Sequence, residues 1–397
     1  MTASEPLSIY LHIPFCSKRC GYCDFTTYAG KESIIPAYVD SLCDEIKIVT
    51  DLCNEPLIAK TIFFGGGTPS LLTLGQYEKL FKTMENCFSV REDAEISLEA
   101  NPGSVNSEYL SGLKKLGLNR LSLGAQSTNN EELSFLGRIH SREDIFKSVN
   151  AARDAGFKNL NLDLIFGLPE QKFGNWKKSL SEVTSLNIEH ISLYALTIEK
   201  GTPFGALANK GLMNIPDPDL AAEMYEWSSE ELDRVGFQQY EISNWAKSDF
   251  YCKHNLQYWH NLPYLGFGVG AHGFARDMRI SNALRINDYI NRIKRRSTQN
   301  NGNMAEEFPV SPATVSIKPV NKNTSMQETL MLGMRLTKEG VSAQKFNDRY
   351  GDKLVDIFGK DIAELLELKL IEWVGDSLRI TDRGRLLGNQ VFMRFVD

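Results

Sequence analysis

The chain contains no apolar run long enough to span a bilayer, so no integral membrane segment is expected. Its first residues, MTASEPLSIYLHI, lack the charged start and apolar core of a signal peptide and the arginines of a transit peptide, and the expected location is cytoplasmic. Positive charge is not in excess: 44 basic residues face 50 acidic ones, a net charge of −6, which argues against general nucleic-acid binding. Cysteine is scarce, with seven in 397 residues, which suits a reducing compartment better than a disulfide framework. Repeats are also missing beyond an alternation of strand-like and helix-like segments. What remains is an ordinary globular composition, 42% hydrophobic and 24% charged, over a length that allows two or three domains.

Three of the scarce cysteines stand together. Cys16, Cys20 and Cys23 lie in HIPFCSKRCGYCDF with the spacing C-x3-C-x2-C. Thiolates are the ligands of iron–sulfur clusters, and three thiolates on a four-iron cubane leave one iron open to a non-protein ligand. A structural zinc site, with nearby His12 as fourth ligand, is the competing reading, although structural zinc prefers paired C-x2-C ligands. Unrelated buried thiols are a further alternative, disfavoured by the polar, loop-like spacer. Cys43, Cys53, Cys87 and Cys252 are far apart in sequence and read as free thiols.

Periodicity organises the first half. Apolar runs at Ser8–His12, Thr61–Phe64, Glu95–Glu99, Arg120–Leu123, Leu160–Phe166 and His190–Leu196 alternate with helical patterns at Ile34–Val49, Leu74–Cys87, Glu108–Leu116, Arg142–Ala155 and Asn175–Leu186. Such alternation implies parallel pairing with right-handed crossovers. Six units are too few for a closed eight-fold barrel, so the predicted fold is α/β, a partial (β/α)6 barrel. Chemistry in parallel barrels sits at the C-terminal strand ends. The cysteine loop, GGGTPS (Gly65–Ser70), Glu99, Gln126, Asp163 and Thr197 all fall in or just after predicted strands. Arg138, in LGRIH, is a further polar candidate. The glycines of GGGTPS allow close approach of a ligand to the backbone, whose N–H and C=O groups suit an amino acid's ammonium and carboxylate; Glu99 suits ribose hydroxyls.

The expected organisation is a core over 1–205, a core extension over 206–290, a polar linker over 291–324 and a C-terminal accessory domain over 325–397. The last region reads as helices followed by a strand pair, KLIEWVGDSLRIT, in a winged-helix-like pattern. From Met326 to Asp397 it carries 11 basic and 12 acidic residues, so a packing or lid role is expected over DNA binding.

YLHIPFCxxxCxYCDF, GGGTPS, LEANPG, LGAQS, LGRIH and DLIFGLPxQ together resemble the coproporphyrinogen III dehydrogenase family of radical S-adenosylmethionine (SAM) proteins. The likeness covers most of the first 200 residues, and the C-terminal region resembles that family's accessory domain. It implies a [4Fe–4S] cluster on Cys16, Cys20 and Cys23, with SAM on its open iron. It also implies SAM contacts from Tyr10, Gly66, Gly67, Thr68, Glu99, Gln126, Arg138 and Asp163, and more weakly from Tyr22 and Thr197. Two departures separate this chain from the true dehydrogenase. Phe25 stands where that enzyme has a fourth cysteine, and only 15 residues precede Cys16 in place of a long extension. Both point to a sister group of heme chaperones, which shares the motif HNxxYW. Here the motif is His254, Asn255, Tyr258 and Trp259. Imidazole is a common axial ligand of heme iron and aromatic rings can cover a macrocycle. His254 is therefore the expected heme ligand, with His260 and His272 secondary, while a hydrogen-bonded histidine in an aromatic core is the plain alternative.

The expected function is heme binding and delivery to an acceptor protein on a radical SAM scaffold. The rival functions are radical oxidative decarboxylation of coproporphyrinogen III and another tetrapyrrole-directed radical SAM reaction. The expected partners are heme, a heme acceptor, an electron donor where SAM is cleaved, and a second copy of the chain.

Overall fold

The computed structural model describes residues 6–298 and 307–396. They form two compact units, one from residues 6–228 and 263–318, the other from 229–262 and 319–396.

The first unit is built on a parallel sheet. Its strands are β1 (Leu7–Ile13), β2 (Ile58–Gly66), β3 (Ser89–Ala100), β4 (Arg120–Gln126), β5 (Leu160–Phe166) and β6 (His190–Ala195), paired in that order. Every pairing is parallel, as the intervening helices require. Those helices begin where local chemistry tells them to. Thr73 and Gln76 form a capping box before Leu74–Cys87, as Ser141 and Asp144 do before Arg142–Asp154, and Asn106 caps Ser107–Lys115. Both faces of the strands are covered, so Ile9, Leu11, Leu98, Leu121 and Leu162 are fully buried.

The six predicted strands all form, and the sheet stays open. A seventh parallel strand, β7 (Tyr264–Phe267), was missed by the sequence reading; it pairs with β1 on the side away from β2. Two antiparallel strands, β8 (His272–Ala275) and β9 (Met278–Asn282), continue outward from it. The anchor of this extension is Glu45, a buried carboxylate on the helix Ile35–Asp51. It accepts hydrogen bonds from Gly268 N (2.8 Å), Asn282 Nδ2 (2.7 Å), Tyr289 OH (2.7 Å) and Ser311 Oγ (2.7 Å). Burial pushes its pKa up while those donors oppose the rise.

Within 291–324 the chain completes the helix Ile286–Thr298, forms the strand Thr314–Pro319 and begins the helix Lys322–Gly333. Polar composition suggested a linker, yet Ser311 and Thr314 are spent on Glu45 and Asn282 inside the fold. Residues 299–306 of that segment lie outside the described residues.

The second unit carries the helix Lys253–Trp259, the helices Lys322–Gly333, Ala343–Tyr350 and Leu354–Glu367, and the hairpin Ile371–Val374/Ser377–Ile380. Helices followed by a hairpin are the winged-helix-like pattern expected of this region. Leu330, Phe346, Ile362, Leu378 and Phe395 fill its core.

Candidate cluster and cofactor site

β1 ends at Ile13 and delivers the chain into the cysteine loop. Cys16 is buried in a two-residue parallel bridge, Phe15–Cys16 against Tyr28–Ala29. Cys20 and Cys23 are half-buried and joined by a turn, Cys23 N to Cys20 O at 3.3 Å. None of the three is paired in a disulfide. Burial raises the pKa of Cys16, opposed by the Thr68 hydroxyl and reinforced by Cys23 and Cys20.

The glycine loop lies directly beneath. Gly67 N donates to Ile13 O (2.8 Å) and Thr68 N to Phe15 O (2.7 Å). A Cβ on Gly67 would sit 2.6 Å from Phe15 O and 3.0 Å from Cys16 Sγ, so only glycine lets the two loops meet. Gly66 has φ +116° and would meet the His12 ring at 2.6 Å.

A hydrogen-bond relay then spans the strand ends. Thr68 Oγ1 donates to Cys16 Sγ (3.7 Å), and Asn101 Nδ2 donates to Thr68 Oγ1 (3.0 Å). Arg138 Nη2 donates to Asn101 Oδ1 and to Gly124 O (2.8 Å), while its Nη1 reaches Cys20 Sγ at 3.4 Å. Two of the three cysteines are thus tied together through β2, β3 and β4. Asn101 was missed by the sequence reading, although it sits in the LEANPG motif two residues past Glu99, and strand-end position was the available signal.

Glu99 accepts from Gly66 N at 3.1 Å. Burial, with repulsion from Asp163 added, pushes its carboxyl up to about 7, and the Gly66 N–H opposes this. Asp163 is also raised by burial, offset by Asn161 and Ser192, and it accepts from Asn161 Nδ2 (2.7 Å) and Ser122 Oγ (3.3 Å). Tyr10 stacks on Phe63 and donates to His12 Nδ1 (2.9 Å). His12 Nε2 in turn donates to Thr26 O (2.9 Å). Both imidazole nitrogens are therefore committed, which removes His12 as the fourth ligand of a zinc ion. Tyr22 packs against Phe204 in an apolar cluster with Leu136, Ile165 and Leu196. Thr197 is exposed two residues beyond β6 and joins none of these contacts.

Gln126 closes β4 with φ +66°, a conformation that costs a non-glycine residue about 1–3 kcal/mol and is kept at functional sites. Among the described residues, its Oε1 and the Nε of Arg138 are buried without a hydrogen-bond partner. Orphaned polar atoms beside a three-thiol loop and a glycine-rich turn fit a polar ligand seated against an iron–sulfur cluster. Among the described residues no three His, Cys, Asp or Glu side chains are gathered as around a single metal ion. A cubane does not require that, because each thiolate binds a different iron.

Of the histidines considered for heme, His272 is exposed at the start of β8 in the first unit. His254 and His260 belong to the second. His254 is 1% exposed, with its Nε2 2.8 Å from Tyr258 OH. His260 follows the same helix and pairs through Nε2 with Glu339 at 2.9 Å.

An open parallel α/β sheet with a three-cysteine loop after its first strand defines a radical SAM protein. The Radical SAM superfamily profile matches residues 10–183, and the HemN C-terminal domain profile matches 320–387. The heme chaperone HemW of Bacillus subtilis (strain 168) is 37% identical over 98% of this chain and 99% of its own length. The Escherichia coli (strain K12) HemW is 39% identical over 69% of this chain and 71% of its own. In Mus musculus, the mitochondrial radical S-adenosyl methionine domain-containing protein 1 is 33% identical over 93% and 83% respectively. The chain belongs to the HemW family of heme chaperones. Its fold is shared with E. coli coproporphyrinogen III oxidase HemN, at a TM-score of 0.83 and 24% identity over 99% of this chain and 90% of that one.

Proposed function

We infer that this chain is a heme chaperone: it binds heme, carries a [4Fe–4S] cluster with SAM, and passes heme to an acceptor protein. The observation that carries this is the end-to-end likeness to HemW, at 37% identity over 390 residues. Cys16, Cys20 and Cys23 hold three irons of the cluster. Backbone at Gly66, Gly67 and Thr68 receives the amino-acid end of SAM. Glu99 receives ribose hydroxyls. Tyr10, Gln126, Arg138 and Asp163 line the remainder, with Tyr22 and Thr197 at the edge. The cluster, when bound, supplies one-electron chemistry on SAM, and an electron donor is needed wherever SAM is cleaved. Heme is held in the second unit by the segment carrying HNLQYWH. Cluster thiols require a reducing environment, which supports a cytoplasmic location. Phe25 and Ile139 are 65% and 61% exposed, apolar surface suited to an acceptor or to a second copy of the chain.

The rival reading is oxidative decarboxylation of coproporphyrinogen III, favoured only by the fold shared with HemN. Phe25 argues against it. One paired assay separates them: anaerobic incubation of reconstituted protein with SAM, reductant and coproporphyrinogen III, beside a hemin titration. Heme uptake without protoporphyrinogen formation is expected; turnover without stable heme uptake would reverse the assignment.

A further inference from the structure

β4 does not run straight into its loop. Leu123 pairs with Leu162 and Gln126 with Leu164, so three steps along β4 match two along β5 and one extra residue is bulged out. A bulge beside a functional site re-aims the side chain next to it. Here the bulge leads into a γ-turn: Ser127 N donates to Ala125 O at 2.9 Å, across Gln126 at φ +66°. The positive-φ γ-turn is the rare and strained form.

A strained turn persists only where its surroundings hold it. The bulge frees two consecutive carbonyls, and two residues of LGRIH take them. Arg138 Nη2 donates to Gly124 O at 2.8 Å, and His140 Nε2 donates to Ala125 O at 3.1 Å. On the other side of Gln126, Ser127 Oγ donates to Glu132 Oε2 at 2.6 Å, and Gln171 Nε2 donates to the same oxygen at 3.2 Å. His140, Ser127, Glu132 and Gln171 are all buried. Gln126 is therefore fixed from both flanks, while its own Oε1 has no hydrogen-bond partner among the described residues. Its amide nitrogen and Arg138 Nη2 converge over Gly124, 2.9 Å and 3.2 Å from where a Cβ would stand.

A carbonyl can only accept, so the His140 proton sits on Nε2. Its Nδ1 is buried with no donor among the described residues. Burial, with the charge of Arg138 added, pushes the His140 pKa down to about 4, against the Ala125 carbonyl and Asp144. The ring is neutral near pH 7 and adds no charge beside Arg138.

We propose that His140 is a positioning residue for SAM: through Ala125 O it holds the strained turn that aims the Gln126 amide at the cofactor. Gln126 touches SAM and His140 does not. The inference rests on the SAM-binding reading above and adds to it a residue that acts one step behind the site.

The test is SAM titration of the full-length, cluster-reconstituted and reduced protein, read by the change in the cluster's EPR spectrum at matched iron content. His140→Phe keeps a flat ring and removes the donor. Half-saturation should then need roughly 3–10-fold more SAM, the size of one lost hydrogen bond. His140→Gln puts an N–H back near the Nε2 position and should return to the wild-type response. Gln126→Gly should hold or raise the urea midpoint of the cofactor-free protein, because glycine bears the positive φ without strain, and should still weaken SAM binding. A role confined to packing would lower stability in the histidine variants without moving half-saturation at equal iron content. Wild-type SAM affinity in His140→Phe, equal weakening in His140→Phe and His140→Gln, or wild-type affinity in Gln126→Gly each overturns the proposal and leaves the SAM-binding reading standing. If His140→Phe fails to fold, His140→Asn, whose amide falls short of Ala125 O, is read in its place. A wild-type spectrum that never responds to SAM overturns the SAM-binding reading itself, and the proposal with it.

Discussion

Arg138 Nη1 lies 3.4 Å from Cys20 Sγ, across 118 residues of sequence. The same guanidinium holds Asn101, which holds Thr68, which donates to Cys16. Hydrogen bonds and positive charge at cluster sulfurs stabilise the reduced state. Arg138→Gln should therefore keep cluster iron but shift its reduction potential to more negative values, measured by anaerobic EPR redox titration. An unchanged potential would disconnect Arg138 from the cluster.

Cys20→Ser removes one of three thiolates. The visible absorbance of the reconstituted cluster should be lost while hemin uptake is preserved. A cluster retained in that variant refutes the ligand assignment.

Gly67→Ala places a methyl group 2.6 Å from Phe15 O, a backbone atom that cannot turn aside. The cysteine loop must shift, at about 1–3 kcal/mol for an overpacked contact. Reduced iron loading with unchanged far-ultraviolet circular dichroism is the expected result.

Glu45→Ala strips a carboxylate from four buried donors, Gly268 N, Asn282 Nδ2, Tyr289 OH and Ser311 Oγ. Leaving such donors unsatisfied should cost at least about 3 kcal/mol. Urea denaturation measures this directly, and a loss under about 1 kcal/mol would mean water replaces the carboxylate.

Glu99 gives a pH dependence. Its carboxyl is raised from 4.5 to about 7, so between these values the unfolded chain ionises while the folded one keeps its proton. Stability then falls as pH rises, and the full penalty, on the order of 3 kcal/mol, stands above the folded value. Glu99→Gln should stabilise the cofactor-free protein at about pH 8 and change little at about pH 4, while weakening SAM binding. Equal denaturation midpoints for the two proteins at the higher pH would contradict the raised pKa.

Much of the site was legible in the sequence because its parts are local. The cysteine spacing, the glycine run and the strand-end polar residues each sit within a few positions of one another. Strand and helix positions were legible for a similar reason, since apolar period and capping chemistry such as Thr73 with Gln76 are short-range. The strand Tyr264–Phe267 was not, because its partner β1 lies more than 250 residues earlier and no local pattern announces that pairing. Asn101 was passed over because its meaning comes from Thr68 and Arg138, which only the folded strand ends bring to it.

By itself the sequence determined the three-cysteine spacing, the parallel α/β core and the likeness to the heme-chaperone family, since composition and short motifs carry them. Only the tertiary structure decided which polar groups are already spent and which are left without partners. His12 and His254 are engaged, whereas among the described residues Gln126 Oε1 and Trp259 Nε1 are buried without a hydrogen-bond partner. Hydrogen-bond satisfaction depends on neighbours far apart along the chain, so packing, not residue type, separates a binding atom from a structural one.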